Sequence, residues 1–362
     1  MFIFLMYSLH FTPINRAILS SISIQPYKKM KMSAAAVALA FALVLASFAN
    51  QCHGALQEGF YKGKCNVDVE KIVSDIITPL VGQKPSITPA LLRMQFHDCF
   101  VKGCDASILL DGSSSEKTAP PNLSVRGYDV IDLVKAAVEK MCPGVVSCAD
   151  VIVMATRDAV AASKGGWYGV QTGRRDGLVS LATNVNLPGP SVSVENSTAI
   201  FNSKGISTED MVYLLGGHTV GVAHCSLFKD RLYNFNNTGR PDPTMQPSLA
   251  FFLRLRCPQS STVDNTVNLD QGGSSADLLG EPTSNIVDNS FYKQIVLHRG
   301  VLQIDQALAL HQLTKDTVNT VAFAPNDYFL TKFQQAMVKL GAVEVLTDAQ
   351  GEIRKSCRAT NF

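Results

Sequence analysis

The stretch "RMQFHDCFVKGCDAS", Arg93 to Ser107, puts an arginine, a histidine, two aspartates and two cysteines into fifteen residues, with apolar sequence on both sides. Its first half reads as a helix. Thr88 and Pro89 form an N-cap followed by proline at the first helical position, which predicts a helix over Ala90 to Cys99. Residues four apart share a helix face, so Arg93 and His97 lie one turn from each other. Burying such a pair is costly unless the site needs both a base and a fixed positive charge. Taken alone, His97 is more simply explained as a core residue satisfied by Asp98 or a backbone carbonyl. The second half is rich in oxygen. Asp98, Asp105 and Ser107 offer side chains, and Val101 and Gly103 offer carbonyls on a tight loop. That set suits a hard cation such as calcium, the plainer alternative being a solvated acidic loop.

Helical spacing continues outward from this stretch. Ile131, Val134, Val138 and Met141 form one apolar stripe. Ser147 to Asp150 has capping-box spacing before "ADVIVMATRDAVAA", and Ser207 to Asp210 repeats it before "MVYLLGGHTVG". Phe291 to Gly300 reads as a helix stopped by glycine. Phe329, Phe333, Met337 and Leu340 line another, ending at Gly341. Strand-like alternation is confined to "WYGVQTG" at 167–173, and 118–122, 187–191 and 271–283 read as loops. The pattern implies one mostly α-helical unit, with two lobes around a central cleft.

A second histidine stands in "LLGGHTVG" at 214–221. Two glycines inside an apolar helix cost roughly 1 kcal/mol each against alanine. They imply that something bulky approaches Gly216 and Gly217 closely. A flat macrocycle fits, with its iron held by His218 in the neutral form. A metal-bound histidine usually donates its other ring N–H to a carboxylate or carbonyl, and Asp305 in "LQIDQAL" is an apolar-flanked carboxylate able to accept it. By itself Asp305 is more simply read as a surface turn residue.

The N-terminus has the layout of a secretory leader. Lys28, Lys29 and Lys31 precede the apolar run Ser33 to Ala49, and small residues follow to about Ala55. Residues 1–54 are therefore expected to be a leader, with Met30 or Met32 a better start than Met1, and residues 55–362 the mature domain. The leader holds four of the 32 basic residues and no acidic one. The remaining 28 basic against 30 acidic residues give a formal charge of −2. A nucleic-acid binder would need a basic face, so that class is excluded. No other apolar stretch is long enough for a membrane span. Beyond Cys52, which lies in the leader, eight cysteines remain. An even number in a secreted chain implies disulfides, with on the order of a hundred pairings open. Zinc is disfavoured because no C-x2-C pair occurs. Asn196 and Asn236 lie in glycosylation sequons expected on the surface, whereas Asn122, also in a sequon, is expected to be buried. A hydrolase reading fails for lack of a G-x-S-x-G turn and leaves the Gly-Gly-His segment unexplained.

The blocks "LLRMQFHDCFVKGCDASILLD", "EKTAPPN", "VSCADV", "GRRD", "NLP", "LLGGHTVGVAHC", "DRLYNF", "VDNSFY", "GVLQIDQAL" and "GEIRKSC" occur in order across nearly all of the mature chain. Together they resemble the plant secretory (class III) haem peroxidases. The resemblance implies an all-α, two-lobed fold with minor β pieces and one haem b between a distal and a proximal helix. It implies reduction of hydrogen peroxide to water, with phenolic donors oxidised in one-electron steps. Arg93 and His97 would be the distal pair, Asn122 would orient His97, and Glu116 would stand behind Asn122. His218 would be the proximal iron ligand, Asp305 its hydrogen-bond partner, and Phe96 would pack over the haem. The carbonyl of Pro188 would line the donor site.

Two calcium ions are implied. The distal one would use Asp98, Val101, Gly103, Asp105 and Ser107, with Glu116 alongside. The proximal one would use Thr219, Asp270, Thr283, Ile286 and Asp288. Implied disulfides are Cys65–Cys142, Cys99–Cys104, Cys148–Cys357 and Cys225–Cys257. The chain departs from the pattern at Asn66, where proline usually follows the first cysteine. It departs again in the loop between Asp270 and Asp288, which is longer and offers Asp277 as an alternative ligand. A monomer in the extracellular space or cell wall is expected, with the vacuole as the alternative. The rival reading from another class is a secreted haem- and calcium-containing binding protein without turnover.

Overall fold

A computed structural model describes residues 56–271 and 284–361. The leader, Asp277 and Thr283 lie outside the described residues. Twelve α-helices occur among them: α1 (Val69–Gln83), α2 (Ile87–Cys99), α3 (Tyr128–Met141), α4 (Cys148–Val160), α5 (Val194–Ser203), α6 (Thr208–Leu215), α7 (Lys229–Tyr233), α8 (Pro247–Arg256), α9 (Ser290–Val296), α10 (Gln303–Leu310), α11 (Lys315–Phe323) and α12 (Asn326–Gly341). Short strands form two antiparallel pairs, β1 (Gln57–Glu58) with β2 (Gln171–Thr172), and β3 (Val222–His224) with β4 (Thr266–Asn268). The fold is therefore mostly helical, as expected.

Side-chain caps set several helix starts. Asp68, Ser147, Ser193 and Ser207 accept from the backbone N–H three residues on, at 3.1, 3.1, 3.2 and 3.1 Å. Each such cap contributes about 0.5–2 kcal/mol. Helices α1, α2, α3 and α4 meet through Val73, Ile77, Leu91, Met94, Val134 and Ile152, all buried. Helices α6, α9, α10, α11 and α12 meet through Phe291, Tyr292, Leu308, Val321 and Phe329, also buried. Buried arginines join distant segments. Arg174 donates to Asp150 at 2.7 Å and to the Gly341 carbonyl at 2.6 and 2.8 Å, which fixes the end of α12. Arg231 pairs with Asp242 at 2.8 Å and donates to the carbonyls of Gly300, Val301 and Leu302, just ahead of α10. The four disulfides pair as the resemblance implies.

Five local expectations need correction. Helix α2 begins at Ile87, so Thr88 is not its cap. The Thr88 hydroxyl instead donates to the Ala159 carbonyl at 3.1 Å and bonds Ser163 Oγ at 2.7 Å, tying α2 to α4. Met141 falls on the last turn of α3 and is 52% exposed, because the stripe runs off the core there. The helix predicted over Phe291 to Gly300 stops at Val296, since His298 takes a left-handed φ of 61°. In 167–173 only Gln171 and Thr172 are extended in a sheet. The "GGHT" segment is not α-helix: α6 ends at Leu215, and Gly216–Thr219 tighten into a 3-10 turn.

Candidate active site

Helix α2 and the α6–"GGHT" junction both line one largely apolar cavity of about 540 Å³. That volume falls within the usual range for cofactor and small-molecule sites, about 300–1,000 Å³. Arg93, Phe96 and His97 line it from α2, His218 from the 3-10 turn, and Pro188 from the 187–191 loop. These sequence-derived residues are thus brought together from three separate stretches.

On the α2 side, His97 is buried and its Nδ1 lies 2.6 Å from Asn122 Oδ1. Asn122 is buried too, and its amide donates to the Glu116 carbonyl at 2.8 Å. That bond fixes which end of the amide faces His97. The oxygen accepts, so Nδ1 carries the proton and Nε2 keeps its lone pair. Arg93 agrees with that tautomer, because its Nε donates to His97 Nε2 at 3.2 Å. The other two Arg93 nitrogens donate to Ser124 Oγ at 2.9 Å and to the Pro121 carbonyl at 2.8 Å. Burial first, and then the Arg93 charge, push the His97 pKa down to about 4, against a smaller upward pull from Asn122. Phe96 stands edge-on to His97 and stacks with Phe201.

On the other side, His218 Nδ1 lies 2.8 Å from Asp305 Oδ1. Asp305 is no surface turn residue: it sits in the first turn of α10 and is 1% exposed. Burial pulls the His218 pKa down, but the charge and hydrogen bond of Asp305 together hold it above its ordinary value. Phe291 meets the ring edge-to-face at 5.9 Å. With Nδ1 committed, Nε2 has no hydrogen-bond partner among the described residues, and His218 lines the cavity.

The two glycines before His218 have different reasons. A Cβ on Gly216 would collide with the Tyr292 hydroxyl and lie 2.6 Å from the Phe329 ring, so protein packing demands that glycine. Only Gly217 lines the cavity, where a Cβ would meet nothing nearer than Phe333 at 3.8 Å.

The oxygen-rich residues gather in two places. Asp98 is buried and accepts from the amides of Ala106 (3.0 Å) and Ile108 (3.5 Å). Gly103, at φ +92°, turns the loop against the Glu344 carbonyl, where a Cβ would clash. Ser107 Oγ and both Glu116 carboxylate oxygens are buried with no hydrogen bond. Burial raises the pKa values of Asp98 and Asp105, and with Asp105 nearby it pushes Glu116 up to about 7. On the other side, Thr219 Oγ1 donates to Asp288 Oδ1 at 2.9 Å and toward the Ile286 carbonyl at 3.5 Å. Ser290, which sequence reading missed, donates to Asp270 at 3.2 Å. Asp270 therefore stays in the cluster despite the longer loop. No group of three or more His, Cys, Asp or Glu side chains has metal-holding geometry among the described residues, so any cation here would depend on hydroxyl and carbonyl oxygens as well.

Residues 69–324 match the family model described as Peroxidase. The chain belongs to the peroxidase family. It is 52% identical to Peroxidase 60 of Arabidopsis thaliana, over 89% of this chain and 95% of that one. It is 49% identical to Peroxidase 57 of the same plant, over 84% and 93% respectively. Peroxidase 44, also from that plant, shares 47% over 84% and 93%. The protein is thus a haem peroxidase of the plant type, an oxidoreductase that uses hydrogen peroxide, as its sequence blocks imply. No helix of the described residues is long and apolar enough to cross a membrane.

The cavity also holds a residue that sequence reading passed over. Arg126 lines it four residues beyond Asn122. The signal was available, as a cation on the same short loop as a buried polar orienting residue.

Proposed function

We propose that Arg93, His97 and Asn122 handle peroxide on one side of the cavity, while His218 and Asp305 hold the haem iron on the other. The observation that carries this is the pair of histidines lining one cavity from separate elements, with Nδ1 of each engaged and Nε2 of His218 without a partner among the described residues. The fit to haem rests on the apolar lining and on that partnerless Nε2. When bound, haem supplies the redox-active iron that takes up the oxidising power of peroxide.

The chain's own residues move the protons. His97, neutral above about pH 4, accepts the peroxide proton at Nε2 and returns it to the departing oxygen. Arg93 is held by three hydrogen bonds and offers fixed positive charge where negative charge builds as the O–O bond breaks. Asp305 keeps His218 oriented and electron-rich. The balance is one peroxide and two phenols to two waters and two phenoxyl radicals. Pro188, on the cavity wall, stands where a donor would enter.

Two calcium ions complete the reading. The distal one would use Asp98, Val101, Gly103, Asp105 and Ser107, with Glu116. The orphaned oxygens of Ser107 and Glu116 support it, because buried polar atoms without partners are costly. The proximal one would use Thr219, Asp270, Ile286 and Asp288, with Thr283 outside the described residues. Asn196 and Asn236 are exposed and would carry glycans. The protein would work as a secreted monomer in the extracellular space or wall. The rival of a binding protein without turnover is disfavoured, since Arg93, His97, Asn122 and His218 are all present and in register. The test is the absorption spectrum of the haem-loaded protein. The Soret band should shift within seconds of adding peroxide and return on adding a phenol; a band that peroxide leaves unmoved would overturn the reading.

A further inference from the structure

Resting on that reading, the charge of the cavity narrows the donor class. Two arginines and three histidines line the cavity, and no aspartate or glutamate does so among the described residues. The two arginines are not equivalent. Arg93 has every guanidinium nitrogen committed to a neighbour. Arg126 is exposed at the cavity, and its guanidinium makes no hydrogen bond or ion pair among the described residues. Arg93 and Arg126 are close enough to act on each other as like charges. His224 differs again, because Asp264 lies 3.5 Å from it. Arg126 is therefore an unquenched planar cation at an apolar cavity, with both edges of its fork available. Such a fork matches a carboxylate in two parallel hydrogen bonds. Apolar walls beside it suit an aromatic ring.

We propose that Arg126 is a carboxylate-binding residue at the mouth of the cavity, making phenols that bear a side-chain carboxylate the favoured donors. The residue positions the donor and takes no part in proton or electron transfer. Haem's own side-chain carboxylates share this chemistry, so the test separates the two sources.

The haem-loaded protein, Arg126→Gln and Arg126→Lys are compared on 4-hydroxycinnamate and its methyl ester, and the KM ratio of acid to ester is read. Haem affinity of each apoprotein is measured by Soret titration alongside. The ratio should rise about three- to tenfold in Arg126→Gln, with only part of the change restored in Arg126→Lys, which keeps the charge but not the fork, and the difference shrinking at high salt. A ratio unchanged in Arg126→Gln, with haem affinity also unchanged, overturns the site. A ratio unchanged while haem affinity falls assigns the residue to the cofactor's carboxylate and overturns the donor class. If the unaltered protein oxidises neither phenol, it is the peroxidase reading that fails, so the two failures are distinct.

Discussion

The two sides of the cavity use the same residue type with opposite partners. His97 presents Nδ1 to a neutral amide oxygen at 2.6 Å, and His218 presents Nδ1 to a buried carboxylate at 2.8 Å. Asn122 fixes a tautomer while adding little charge, so burial and Arg93 dominate and His97 is a weak base. Asp305 adds a full negative charge, and His218 is held above its ordinary pKa. A proton shuttle must let its proton go, whereas a metal ligand must push electron density outward. The partner atom, more than the imidazole, decides which of these a histidine does.

The largest way to break the comparison is to delete one side. His218→Ala should lose haem retention and with it nearly all peroxidase activity, read by the Soret-to-protein absorbance ratio after gel filtration. His97→Ala should keep haem yet react with peroxide about 10²–10⁴-fold more slowly in stopped flow. A normal rate in that variant would remove His97 from the mechanism.

Exchanging the partners is subtler. Asp305→Asn should lower haem affinity or turnover by about 10–100-fold. Asn122→Asp should move the acid limb of the peroxide reaction upward from about pH 4, because a carboxylate beside His97 favours the imidazolium. The sign is fixed by linkage. In the present protein the folded state lacks a proton that unfolded His97 takes up between its ordinary 6.5 and about 4, so stability rises with pH across that window and is lost as the pH is lowered through it. In Asn122→Asp the loss should shift or shrink. The smallest effect is expected from chelating calcium, a fall of a few degrees in the melting midpoint with a parallel fall in activity. Unchanged melting in chelator would count against both calcium sites.

Much of this was legible in the chain. The Arg93–His97 spacing needed only helix geometry, and the Ser147 and Ser207 caps read correctly because capping is local. Asp305 did not read from its own neighbourhood, since its role depends on a residue 87 positions away. The Gly-Gly pair misled in part. Its cost signals a close approach without naming what approaches, and for Gly216 that is Tyr292 and Phe329. Thr88 had the right residues for a cap, but its hydroxyl found a stronger use between two helices. Arg126 went unread because a lone arginine on a loop is ordinary until its neighbours, and its lack of a counter-charge, are seen.

The cystines divide the same molecule in another way. Cys65–Cys142 encloses Arg93, His97 and Asn122, while Cys148–Cys357 encloses His218 and Asp305. Each histidine and its partner therefore ride in a separate covalent ring, joined by the short segment 143–147, where Pro143 and Gly144 are exposed. A protease that nicks a loop inside either ring leaves all the pieces tethered, and the damage stays hidden until reductant is added. A single cut in 143–147 does what no other internal cut can: it severs the covalent link between the peroxide-handling half and the iron-holding half and leaves them joined by packing alone.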